Sequence, residues 1–251
     1  IGNLSTATLK ALSSDQLVAI ETTDIQALKT SQLATLATST VAALSTDQIQ
    51  ALLTSQLGAL GTNSVRALTT DQVVALTTDQ VTGLNTRTVQ ALSTDAIAAL
   101  TTGQIEVINT AGLAALTTSQ VKALSTDAVI ALSTYQVANL TTGTMAALST
   151  AQVAAIETTD IQALSTKQLA GLATGTVSAL TTDQVIALTT YQVGNLSTAT
   201  LKALSSDQIA AIETTDIQVL TTGQLAGLAT STVAALTTDQ VVALTTYQIG
   251  N

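Results

Sequence analysis

Leu68-Thr69-Thr70-Asp71-Gln72-Val73-Val74-Ala75 runs without interruption into Leu76-Thr77-Thr78-Asp79-Gln80-Val81-Thr82-Gly83, and the reading of this pair decides the fold. The period is eight residues, and its register never slips along the chain. Every eighth residue from Leu4 to Leu244 is Leu, apart from Ile20, Ile108, Ile156 and Ile212. The column from Ile1 to Ile249 carries Val, Ile, Leu or, once, Met145. The column from Thr6 to Thr246 is Thr, with Ser14 and Ser206 as departures. The position before each Leu is mostly Ala, with exceptions such as Gly171, Gly227 and Asn195. A fixed short period of this kind is the signature of a repeat array, so residues 1–251 read as one array of about 31 octads with no separate domains.

The octad limits the secondary structure. At 3.6 residues per turn, eight residues advance a helix by about 800°, which leaves an apolar stripe rotated by about 80° per repeat, more than supercoiling absorbs. One continuous helix or coiled coil is therefore excluded. A chain of short helices fits: Leu68 stands at N′, Thr69 at the N-cap, Gln72 at N3 and Val73 at N4, which supplies a capping box and a hydrophobic staple. Each helix then runs about six residues, roughly 9 Å. The near-constant Thr, one place after a cap position that varies through Lys29, Ala37, Leu53 and Gly61, points the other way. It suits a ladder in a β-solenoid, and Val, Ile and Thr are good strand residues. Abundant Ala, Leu and Gln, only 13 Gly and no Asn-Gly or Asp-Gly turn oppose strands. The expected class is all-α, a solenoid of short N-capped helices, one per octad, with a β-solenoid as the alternative.

Charge separates the faces. All 23 Lys, Arg, Asp and Glu residues avoid the aliphatic, Ala, Leu and Thr columns, for example Lys10, Glu21 and Asp15. A charge is rarely buried without a partner, so those four columns are expected to point inward. The core ladder is then Leu68, Thr70, Val73, Ala75, Leu76, Thr78, Val81 and Leu84. Neighbouring octads bury what no single one hides, and stability becomes a sum of nearest-neighbour terms. The first and last octads match the interior and carry no polar cap, so the chain is expected to be a segment of a longer array or to stack on further copies.

Composition removes most chemistries. The chain has no Pro, Cys, His, Trp or Phe, and 9% charged residues where globular proteins average about 25%. Without His and Cys, the usual zinc and haem sites, a Cys nucleophile, a His base and disulfides are excluded. A net charge of −9 opposes nucleic acid and anionic lipid. Apolar runs such as Val73-Val74-Ala75-Leu76 fall far short of the roughly 20 residues a bilayer span needs. Ile1-Gly2-Asn3-Leu4 begins mid-pattern, so any targeting segment is expected to lie outside these residues.

The remaining motifs point away from catalysis. Asp71, Asp79, Asp183 and Asp239 stand singly in an outward column and match no calcium loop, so no metal or cofactor is expected there. Ser residues lack an evident base. Asn3-Leu4-Ser5, Asn139-Leu140-Thr141 and Asn195-Leu196-Ser197 match glycosylation sequons, but their Asn falls in the inward Ala column and is expected to satisfy backbone groups. Tyr135, Tyr191 and Tyr247 recur every 56 residues in an outward column and mark candidate lateral contacts.

The Leu-Ser/Thr-Thr-x-Gln-Val-x-Ala octad resembles the repeat regions of very large bacterial surface and adhesin-like proteins over all 251 residues. The resemblance implies a secreted or surface-attached spacer or filament and no site residues. Two functions follow as expectations: a non-enzymatic structural rod or filament of a cell-surface or extracellular appendage, associating with itself, or a repetitive Thr, Ser and Gln surface for polysaccharide, mineral or ice. A flat β-solenoid face would favour the second, a ridged helical one the first.

Overall fold

The computed structural model describes residues 2–250; Ile1, the start of the aliphatic column, and Asn251, four residues after Tyr247, lie outside the described residues. Among the described residues it is all-helical, with one helix of four to six residues per octad from Thr6–Ala11 to Thr246–Gly250 and no strand. The β-solenoid alternative is thereby excluded.

Each octad closes its own hydrogen bonds. In Thr70–Val74 the N-cap Thr69 is extended (φ −75°, ψ 161°), and its hydroxyl accepts from the Gln72 N–H while the Gln72 side chain accepts from the Thr69 N–H, 2.9 Å away. That box satisfies two of the donors a helix start leaves open. At the other end the Leu76 N–H donates to the Val73 carbonyl at 3.2 Å. Extended residues then turn the chain into the next helix, as at Leu92 (φ −57°, ψ 141°) and Ser93 (φ −67°, ψ 161°). The corner needs no left-handed residue, and none of the described residues has positive φ, which is why so few Gly suffice. Where the cap is Lys29 or Leu53, the Gln half of the box survives, at 2.6 Å and 2.7 Å.

Replacing Thr69 by Ala is expected to cost about 1 kcal/mol of local stability. Replacing the adjacent, exposed Thr70 is expected to stay within about 0.5 kcal/mol. Thermal melts followed by far-ultraviolet circular dichroism compare the two.

The chain forms two compact units, residues 1–131 and 132–251. In the first, Thr46–Ala51 packs on Thr22–Gln26, three helices back; in the second, Thr166–Gly171 packs on Thr142–Ala147 in the same way. Glutamine reaches one helix further. The Gln72 Nε2 donates to the carbonyls of Val41 and Leu44 at 2.9 Å and 2.7 Å, and the Gln184 Nε2 to those of Val153 and Ile156 at 2.9 Å and 2.6 Å. Packing on both the third and the fourth preceding helix means that one turn of the coil takes 28 residues, three and a half octads. Each helix sits over the joint between two helices of the turn before.

The core runs through three columns. Leu68, Val73, Leu76, Val81 and Leu84 are buried, each worth roughly 1.5–3 kcal/mol relative to exposure. The third inward column is the N3 glutamine, buried at Gln72, Gln80 and Gln184, and not the Thr expected from the charge pattern. Thr70 and Thr78 are exposed, and Ala75 is half-buried. The correction follows from the helix: Thr opens it at N1, where the side chain stands off the outer corner, while N3 and N4 face the coil.

The Thr column still has a packing role. A Cβ at Gly171 would lie 3.2 Å from the Thr142 Cβ and carbonyl oxygen, and one at Gly83 or Gly227 would meet the methyl of Thr54 or Thr198. The small residue before each Leu thus accommodates a Thr of the preceding turn.

Candidate interaction surfaces

The outer face offers little for chemistry. Asp71, Asp79, Asp183 and Asp239 are exposed, each at N2 of its own helix. Among the described residues no group of three or more His, Cys, Asp or Glu is placed to hold a metal, and no helix is long and apolar enough to cross a membrane. A surface hollow of about 380 Å³ in the first unit is lined by Gly58, Gly61, Thr62, Arg87 and their neighbours. Gly61 stands there where most octads have a hydroxyl cap, and the Arg87 Nε donates to Thr62 Oγ1 at 3.2 Å.

The periodic surface is better defined. Thr and Ser caps use their hydroxyls within the helix starts, whereas the N1 Thr presents its hydroxyl outward. Tyr135, Tyr191 and Tyr247, all in the second unit, are 71%, 72% and 71% exposed. Their 56-residue spacing is seven octads, and at 28 residues per turn that is two whole turns. The half-integral winding therefore returns Tyr to the same side of the coil only at this spacing, which gives the longer repeat a geometric meaning that the octad alone conceals.

The sequon asparagines Asn139 and Asn195 are exposed, not inward as expected from their column. Their Nδ2 groups donate to the Tyr135 and Tyr191 carbonyls at 2.8 Å, closing the helix ends. The expectation of a backbone-satisfying amide holds; that of burial does not.

Sequence reasoning missed the buried polar column. Glutamine at N3 is expected above only as half of a capping box, and the charge pattern leaves its column, which also carries Asp24, Asp160 and Asp216, among the outward ones. Of these, Asp160 and Asp216 are buried, at 2% and 3% exposure. The available signal was that Gln fills this column in more than half of the octads and Glu in none, although a cap alone accepts Glu equally well.

The family model of the ALTTAQ repeat matches residues 17–54, 50–86, 105–142, 153–190, 190–222 and 209–246. No curated protein matches the chain.

Proposed function

The chain belongs to the ALTTAQ repeat family, and on that premise we propose that it is a non-enzymatic structural element: a stiff rod or filament subunit of an extracellular or cell-surface appendage, joining end to end with copies of itself. The supporting observation is the uniformity of the contact between turns: in each unit helices pack on the third preceding helix, and buried glutamines such as Gln72 and Gln184 donate to carbonyls of the fourth. A second copy would repeat this contact without a new kind of interface. Such a joint is heterologous, so it propagates unless rotation closes it into a ring.

Electron microscopy of the isolated 251-residue chain tests this. Unbranched fibres one coil wide are expected, and a charge of −9 keeps them apart until salt screens it, after which they bundle. A monodisperse monomer at high concentration overturns the reading.

One correction favours the second function. The outward N1 Thr repeats once per octad, so the coil displays a regular array of hydroxyls to a periodic target such as polysaccharide, mineral or ice. Retention on immobilised polysaccharide by monomeric chain, without fibres, would move the assignment there.

A further inference from the structure

The octad Ala-Ile-Glu-Thr-Thr-Asp-Ile-Gln occurs three times, at 19–26, 155–162 and 211–218. It replaces two ordinary features at once: Glu takes the cap position, and Asp takes the place of the buried N3 glutamine. In the second unit the consequence is visible at Asp216, which is 3% exposed and whose Oδ1 has no hydrogen-bond partner.

The surroundings of this position are set by the winding. The glutamines of the flanking octads reach back 28 to 31 residues: the Gln208 Nε2 donates to the carbonyls of Val177 and Leu180, and the Gln224 Nε2 to those of Gly194 and Leu196. By the same register, 28 to 31 residues back, the carbonyls that a glutamine at position 216 would reach are those of Val185, Ile186 and Leu188. Every group there is an acceptor. Where the amide brings an NH₂ donor, the carboxylate brings a second acceptor and a negative charge, on a side chain shorter by one methylene.

The cap adds a second carboxylate. Glu213 makes no side-chain cap bond, and the Asp216 N–H turns instead to the Glu213 carbonyl at 3.0 Å. The Glu213 side chain is exposed, three residues before the buried Asp. A buried charge among acceptors is costly unless something positive stands between them.

We propose that the Glu-Thr-Thr-Asp octad is a calcium site between turns, with the Asp216 carboxylate and the carbonyl oxygens of Ile186 and Leu188 as inner ligands and Glu213 closing the solvent side. Calcium is the suited ion: it takes six to eight oxygen ligands, mixes carboxylates with main-chain carbonyls and water, and balances two carboxylates. The ion does the work of the missing amide, tying Thr214–Ile217 to Thr182–Ile186 of the preceding turn. Asp160, buried in an identical octad 56 residues earlier, repeats the substitution on the same side of the coil. This is distinct from the outward Asp71, Asp79, Asp183 and Asp239, which remain without such neighbours.

Hydrogen exchange of the full chain, read on peptides covering 182–190 and 211–218, tests the proposal in EDTA and in millimolar calcium chloride. In the unmodified chain, calcium is expected to slow exchange at least tenfold in both peptides. Asp216→Gln restores the amide of the column, so it is expected to fold, to match the calcium-loaded chain in EDTA and to lose the calcium response. Asp183→Asn, on the exposed column, is expected to keep the response. Equal exchange with and without calcium in the unmodified chain overturns the site. A response that survives in Asp216→Gln, or protection that follows pH and not calcium, overturns it as well. Fibre formation plays no part in the readout, so failure here leaves the structural assignment untouched.

Discussion

Val73→Asp is expected to melt the turns around it, at a cost above about 4 kcal/mol, while Asp71→Lys two residues away stays within about 0.5 kcal/mol. Val73 is fully buried in the aliphatic column, with Leu68 and Leu76 on either side. An aspartate there has no partner, and burying an unpaired charge ranks among the most expensive substitutions. Asp71 points to solvent from N2. Because neighbouring turns share each contact, the loss spreads to the third and fourth helices on either side and then fades. Hydrogen exchange should show this as a local window of lost protection, about one turn in each direction. Thr70→Asp is the discriminating third variant: N1 is exposed, so it is expected to behave like Asp71→Lys. Unfolding by Thr70→Asp would restore the inward Thr column.

What the octad made legible was whatever depends on period and local chemistry. Leu68 as staple, Thr69 as cap and Gln72 at N3 are all within one repeat, and their geometry is closed by bonds three residues apart. The aliphatic and Leu columns were legible because apolar burial is insensitive to how the coil is wound. The winding was not. Three and a half octads per turn is set by how helices stack on the third and fourth preceding ones, contacts 25 to 31 residues apart that no single octad encodes. Two errors follow from that. Thr was placed inside because charge avoids it, whereas its true constraint is the small residue of the following turn, as at Thr142 and Gly171. Glutamine was placed outside because three aspartates share its column, whereas those aspartates are departures from a buried amide.

Gln184→Glu is expected to be the most damaging near-isosteric change in the second unit. The wild-type amide uses both its ends: Oε1 accepts from the Thr181 N–H at 2.9 Å, and Nε2 donates to the Val153, Ala154 and Ile156 carbonyls at 2.9 Å, 3.3 Å and 2.6 Å. Shape alone would make glutamate a good substitute, since it keeps the first bond. The second end becomes an oxygen facing three acceptors. Gln184→Ala removes the donor without adding charge, and leaves the cap N–H and the carbonyls unsatisfied, for about 1–3 kcal/mol. The glutamate adds a buried uncompensated charge, for about 3–5 kcal/mol at neutral pH. Acid separates the two causes. Repulsion from the carbonyls favours the neutral acid in the folded state, so the folded protein holds its proton to higher pH than the unfolded chain does. The folded state then binds more protons, and stability relative to wild type falls as pH rises through the ordinary glutamate range near 4 and above. Below that range the protonated acid donates to one carbonyl and recovers much of the loss. Melting temperatures across pH 3.5 to 7.5 should therefore diverge for Gln184→Glu and run parallel to wild type for Gln184→Ala. Parallel behaviour of both variants would mean that the column carries packing and not the donor bond that joins one turn to the next.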